Sequence, residues 1–189
     1  MLKELVIKNR SCRKFDESFR PDYETLFSLA DTARFTPSTV NRQAVRLMII
    51  NDEERCETVF DSLSFAGLLK GAGTPKDGEK PTAYIILLCD LTVAKEMHYD
   101  EGIIAQTILL AAVEKGLGGC MLGSINREKL FEELGIDRER YTIDLVIALG
   151  RPAQETVIDD ISIGESTAYY RDARGVHHVP KIKTEDLLL

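Results

Sequence analysis

The run from Asp100 to Lys115 is the strongest constraint on how this chain can fold. Ile103, Ile104, Ala105, Ile108, Leu109, Leu110, Ala111, Ala112 and Val113 leave it almost no polar side. A surface helix carries one apolar stripe, whereas a helix that is apolar nearly all round must be covered nearly all round. The stretch predicts a helix buried centrally in the core or at a subunit interface, with Gly116 as its C-cap. Ala83-Tyr84-Ile85-Ile86-Leu87-Leu88-Cys89 is the second such stretch. It has strand length, and a continuous apolar strand suits the centre of a sheet covered on both faces.

Other elements are arranged around these two. Leu2, Leu5 and Val6 read as a first helix, and Tyr23, Leu26, Phe27, Leu29, Ala30 and Ala33 as a second. Asp22 is the N-cap of that second helix, which stops before Pro37 because the residue preceding proline avoids the helical region. Val45 to Ile50 and Ile143 to Leu149 are strands, the latter stopped by Gly150-Arg151-Pro152. Asp52 to Leu63 and Asn126 to Leu134 are helices. The segment from Gly67 to Pro81 breaks up into glycines, prolines and charges, as a mobile flap or a plain surface loop would. The tail from Ala153 to Leu189 is loosely patterned, and such tails often pack on another subunit. With no repeat, low-complexity tract or linker, residues 1–189 are expected to form one domain.

Composition removes several function classes. A net charge of −7 argues against general nucleic-acid binding, which needs a basic face. No basic-then-apolar leader and no membrane-length apolar run is present, so a cytoplasmic protein is expected. Cys12, Cys56, Cys89 and Cys120 form no C-x-x-C pair and read as reduced core thiols. His98, His177 and His178 lack metal-ligand spacing and read as surface or structural histidines.

Four polar or glycine-rich stretches remain as candidate sites. Arg10-Ser11-Cys12-Arg13-Lys14-Phe15 clusters cations and a hydroxyl at a helix end, which suits either a bound anion or a solvated charge run. Thr36-Pro37-Ser38-Thr39-Val40-Asn41-Arg42-Gln43 offers hydroxyls and amides for a ligand or for turn formation. Gly116 to Gly123 holds four glycines that let backbone approach something closely. It follows a helix, so it is not a dinucleotide fingerprint. Pro180-Lys181-Ile182-Lys183 is basic.

Taken in order, these motifs resemble the flavin-dependent nitroreductase family. Arg10 to Phe15 is similar to its opening R-S-x-R-x-F, and Pro37 to Gln43 to its P-S-x-x-N-x-Q loop. The helix from Asp100, with Gln106, is similar to its central helix, and Gly116-Leu117-Gly118 to Gly123 to its glycine segment. Leu149-Gly150-Arg151-Pro152 resembles its L-G-x-P strand end, and Pro180 to Lys183 its basic C-terminal element. Gln43-Ala44 departs from the usual Gln-Pro, and the segment between Asp61 and Pro81 is short where larger members carry an insertion.

The resemblance implies an α+β fold, with a mixed, mostly antiparallel central sheet flanked by helices. It implies a homodimer with FMN sites at the interface and a C-terminal extension wrapped on the partner. Arg10, Ser11, Arg13, Lys181 and Lys183 would bind the phosphate, the ribityl chain or the N1 edge. Pro37, Ser38, Asn41 and Gln43 would meet the flavin from the other subunit. Met121, Leu122 and Gly123 would lie against the ring, and Asp100 falls in the cofactor site by the same resemblance. NADH or NADPH would deliver electrons for a small organic acceptor such as a nitroaromatic or quinone, in a ping-pong sequence with no acid or base side chain required. A flavin-binding sensor or carrier without turnover is the alternative.

Overall fold

The computed structural model of the chain describes residues 1–65, 73–97 and 99–189. The first elements are α1 (Leu2–Lys8), α2 (Tyr23–Ala33), β1 (Val45–Ile50), α3 (Glu53–Phe60) and β2 (Ala83–Asp90). They are followed by α4 (Asp100–Glu114), β3 (Gly118–Leu122), α5 (Arg127–Glu133) and β4 (Tyr141–Gly150). The tail adds β5 (Thr156–Ile161), β6 (Tyr170–Arg171) and β7 (His177–Ile182).

Strands β1 to β4 form one antiparallel sheet in the order β1-β2-β4-β3. Every residue of β2 is buried, as its unbroken apolar run requires. Its side chains alternate between two cores. Ile85 and Leu87 pack with Leu26 and Leu29 of α2 and with Ala105, Ile108 and Leu109 of α4. Tyr84, Ile86 and Leu88 pack with Cys56 and Val59 of α3 and Leu130 of α5. Each large aliphatic side chain buried in this way contributes about 1.5–3 kcal/mol.

The helices start where side chains satisfy their free N–H groups. Asp22 accepts from Thr25 N–H (2.7 Å), Asp52 from Arg55 N–H (2.9 Å) and Asn126 from Lys129 N–H (3.3 Å). Helix α3 ends at Phe60, short of the expected Leu63. Beyond it Ser62 and Leu63 N–H turn tightly onto the Val59 and Phe60 carbonyls, and Leu63 bridges to Ile125. Helix α4 buries Ala105, Ile108, Leu109 and Ala112, yet Tyr99 at its start and Ile103 on its outer side are exposed. The central-helix reading holds, and a further apolar face is left open.

Two departures from expectation matter for the site. The glycine segment is a strand, β3, at the edge of the sheet. A Cβ on Gly119 would lie 2.2 Å from the Ala148 carbonyl oxygen and 2.9 Å from Leu109 Cδ2. The close approach is therefore to the protein's own sheet and helix. The tail is a second sheet in the order β5-β7-β6, with β5 and β7 parallel and β6 antiparallel to β7. β5 and β7 pair in parallel in this second sheet, while β1 to β4 pair antiparallel, with Ser11 adding a parallel bridge to Gly119 at the β3 edge.

The Gly67–Pro81 segment lies partly outside the described residues. Its later part is tied down: Glu17 accepts from Lys80 N–H (3.1 Å), Phe15 N–H donates to the Glu79 carbonyl (3.0 Å), and Lys14 pairs with Glu79 (2.6 Å).

Candidate functional site

The N-terminal motif is held as a strand-like strap. Ser11 bridges to Gly119 in the parallel sense, and Cys12 N–H donates to the Gly119 carbonyl (2.9 Å). Asp16 N–H donates to the Arg151 carbonyl (2.9 Å) and Ala153 N–H to the Lys14 carbonyl (2.8 Å). Phe15, fully buried, lies where Gly150 has no side chain; a Cβ there would sit 2.9 Å from its ring. Gln154 completes the clamp, accepting from Arg13 N–H (3.2 Å) and donating to the Ser11 carbonyl (3.3 Å).

Between this strap, α4, β3 and β7 lies a cavity of about 660 Å³. Arg10, Ser11 and Arg13 line it from the strap, Gln106 and Leu109 from α4, and Gly119 and Met121 from β3. His177, Val179 and Lys181 line it from β7, and Thr167 and Tyr169 from the segment before β6. A cavity of this size with apolar walls and a few convergent polar groups is the usual form of a small-molecule site.

The polar groups are incompletely satisfied. Arg10 Nη2 donates to the Val6 carbonyl (2.7 Å), but Arg10 Nε, Arg13 Nε and His177 Nδ1 are buried without a partner. A buried polar atom left unpaired costs about 1–3 kcal/mol; the two guanidinium N–H groups lack an acceptor, and the imidazole Nδ1 lacks a donor or an acceptor according to its tautomer. Burial pulls Arg10 below its usual pKa, though a guanidinium stays charged at physiological pH. The Arg13 guanidinium lies over the Tyr169 ring (5.3 Å), and Tyr169 meets His177 edge-on (5.4 Å, 60°). His177 is only 2% exposed. Burial lowers its pKa first, with Arg13, Arg171 and His178 adding to the effect. It is held neutral by this environment.

The Pro37–Gln43 loop lies outside this cavity. Asp100, buried at the start of α4, accepts from Thr39 N–H (2.9 Å) and Thr39 Oγ1 (3.0 Å) and so pins the loop to the helix. Ser38 Oγ accepts from Gln43 N–H (3.1 Å) and closes it. Val40, Asn41 and Gln43 all have positive φ, 52°, 55° and 53°. For a β-branched residue such as Val40 that is a strained conformation, with a cost of order 1–3 kcal/mol. Val40, Asn41, Arg42 and Gln43 are exposed.

Of the residues singled out from sequence, Arg10, Ser11, Arg13, Met121 and Lys181 come together at the cavity. Pro37, Ser38, Asn41 and Gln43 form a separate loop that does not line the cavity. Leu122, Asp100, Lys183 and Gly123 do not line the cavity. Leu122 points into the core on the far face of the sheet, because β3 alternates and only Met121 shares Gly119's side. The Asp100 carboxylate is occupied by Thr39, so it positions the loop and does not line the cavity. Lys183 lies beyond the end of β7, exposed, its N–H given to the Ile161 carbonyl (2.9 Å). Gly123 is exposed past the end of β3. Sequence reasoning missed Tyr169 and His177, which share no motif; their signal is pairing between β6 and β7, which sequence alone does not display. The four cysteines are free and buried as expected, and burial pushes the Cys12 thiol up to about 11, so it is no nucleophile.

The model of the Nitroreductase family matches residues 6–80 and 90–151. The chain belongs to the nitroreductase family. A Bacillus subtilis (strain 168) relative, YdgI, provisionally named an NAD(P)H nitroreductase, is 22% identical over 80% of this chain and 88% of its own. A solved structure from Exiguobacterium sibiricum 255-15, provisionally named a nitroreductase and in complex with FMN, is 17% identical with a TM-score of 0.69. That match covers 82% of this chain and 89% of the other. An FMN-dependent nitroreductase from Clostridium difficile R20291 is 22% identical, with a TM-score of 0.65, covering 80% and 87%. This chain thus has the nitroreductase fold, with the strap and cavity built on it.

Proposed function

We propose that this nitroreductase-family protein is an FMN-dependent oxidoreductase that passes two electrons from NADH or NADPH to a small organic acceptor, such as a nitroaromatic or quinone, in a ping-pong sequence. The observation that carries the proposal is the set of unpartnered buried nitrogens on Arg10, Arg13 and His177 around one cavity. FMN fits it: a phosphate and a ring edge supply acceptors, and Leu109, Met121 and Val179 supply apolar contact. The YdgI and FMN-complex relatives support the same reading.

When bound, FMN supplies the two-electron chemistry. The chain's own residues bind and orient. Lys181, Arg10 and Ser11 would hold the phosphate and ribityl chain. Arg13 stabilises the ring edge that gains negative charge. Met121 packs against the ring.

The functional unit is a homodimer. Ser38, Asn41 and Gln43, on a strained loop that satisfies nothing in its own chain's cavity, reach the partner's site, and Pro37 shapes the turn. The open side of α4 at Tyr99 and Ile103, with exposed Leu187 and Leu188 of the tail, forms the apolar contact that the partner covers. Among the described residues no helix is long and apolar enough to cross a membrane. The reduced, buried thiols suit the cytoplasm.

The test is the spectrum of the purified protein under anaerobic conditions. A yellow dimer that releases FMN and bleaches with NAD(P)H is expected. Release of FAD, no uptake of FMN, or a flavin that NAD(P)H leaves oxidised would overturn the proposal. The last result would favour a carrier or sensor.

A further inference from the structure

We propose that His177 is the proton-linked partner of the bound flavin: its imidazole takes up a proton from solvent when the cofactor is reduced and releases it on reoxidation. This inference rests on the FMN reading above. His177 lies in the central strand of the C-terminal sheet, between Thr156 and Arg171 in register, and its backbone N–H is fixed by the Glu155 carbonyl (2.9 Å). Tyr169 packs on the ring, with Arg13 beyond it. The imidazole is buried, and its Nδ1 has no protein partner.

Position along β7 decides which end of the cofactor it meets. Lys181 is four residues on, about 13 Å along the strand. With the phosphate at Lys181, the Arg13–Tyr169–His177 group serves the opposite end, where reduction deposits charge. The charged and titratable groups around His177 include Arg13 from the strap, Arg171 of β6, His178 of β7 and Tyr169 before β6, with Arg10 and Lys181 lining the same cavity. Burial first, and the Arg13 and Arg171 guanidiniums after it, hold its pKa below the usual histidine value. A negative charge developing nearby reverses the balance.

The step balances. NAD(P)H is oxidised and delivers two electrons and one hydrogen nucleus, leaving one added negative charge on the cofactor. His177 gains one proton from solvent, so the site's net charge is unchanged. The acceptor then receives two electrons and two protons, one of them released from His177.

The experiment is potentiometry of the FMN-loaded protein with dithionite and reference dyes at several pH values between about 7 and 8, where a histidine can titrate. Each proton taken up with two electrons lowers the potential by about 30 mV per pH unit. Wild type should fall at roughly twice that slope, and His177→Gln at roughly once. A single-proton slope in wild type, or equal slopes in the two proteins, overturns the inference. Should His177→Gln fail to fold, histidine-ring 15N spectra of the oxidised and reduced wild type decide. The chain has three histidines, and His98→Gln and His178→Gln assign the other two. The His177 ring should protonate on reduction, and no change in that ring overturns the proposal. A protein that takes up no FMN fails the functional reading itself. One that takes up FMN but shows no extra proton fails only this inference.

Discussion

The two sheets are built on opposite terms. The four-stranded sheet is sandwiched: β2 is buried along its whole length, with α2 and α4 on one face and α3 and α5 on the other. The C-terminal sheet has a single fully buried strand residue, His177, and its other strand positions are half-buried or exposed. The first sheet is held by apolar area. The second is held by backbone pairing and by polar clusters such as His178 with Asp159 (2.9 Å), stacked on Tyr170 (4.6 Å). The cavity lies on the seam between them. A rigid wall and a polar wall meet there, and the more weakly packed one supplies most of the tail's chemistry. Elements that engage ligands are drawn from the less stable part of a structure.

The largest expected effect separates the two sheets by stability. Leu87→Ala removes a fully buried side chain from β2 and should cost about 2–5 kcal/mol in urea unfolding. Val157→Ala, at a half-buried position of β5, should cost less than about 1.5 kcal/mol. Equal losses would break the comparison.

The next effect is on binding. Arg13→Ala should weaken FMN affinity by roughly tenfold to a hundredfold, since a charge-assisted hydrogen bond contributes about 1.5–3 kcal/mol. Arg42→Ala, in the exposed loop, should change it little within one chain's site. Flavin fluorescence quenching reads both, with circular dichroism confirming that each variant folds. An equal loss, or a larger one for Arg42→Ala, would move the binding site off the strap.

The smallest effect tests whether the sandwiched sheet is held by apolar contact alone. Asp90, 1% exposed at the end of β2, accepts from Thr92 Oγ1 (2.6 Å) and pairs with Arg46 (3.2 Å) and Arg140 (3.3 Å). The Thr92 hydroxyl first, and Arg140 after it, hold its carboxyl below the usual range. A carboxylate whose folded pKa is depressed stabilises fully above its unfolded value of about 3.9 and loses that contribution as pH falls through the folded value. Acid titration by circular dichroism should show wild type losing stability below about pH 4, with a shallower dependence in Asp90→Asn. An unchanged slope would leave Asp90 without a part in the hold.

The same contrast explains what could be read from the sequence. The β2 run and the α4 run were legible because two-sided burial leaves an unbroken apolar stretch. The N-cap at Asp22 was legible because its chemistry is local. Strand β3 was hidden because Gly118 and Gly119 carry no side chains to alternate, and Leu122 was therefore aimed at the wrong face. The tail sheet was hidden because Asp159, Asp160 and Pro180 blur its strands and because β5 and β7 pair across a long connection. Arg10, Arg13 and Lys181 could be found as charges in motifs, and Ser11 as a hydroxyl among them. His177 could not, since its role depends on what Tyr169 and Arg13 bring to it.

Helix α4 carries a consequence of its own. It offers Gln106 and Leu109 to the cavity, while Asp100, about 9 Å back along the axis, grips the Thr39 loop. In the proposed dimer that loop belongs to the neighbour's site. One rigid rod then spans two active centres, with its middle in one and its tip steering the other. A small roll or slide of the rod would retune both at once, and occupancy of one centre could be felt at the second without any loop between them changing shape.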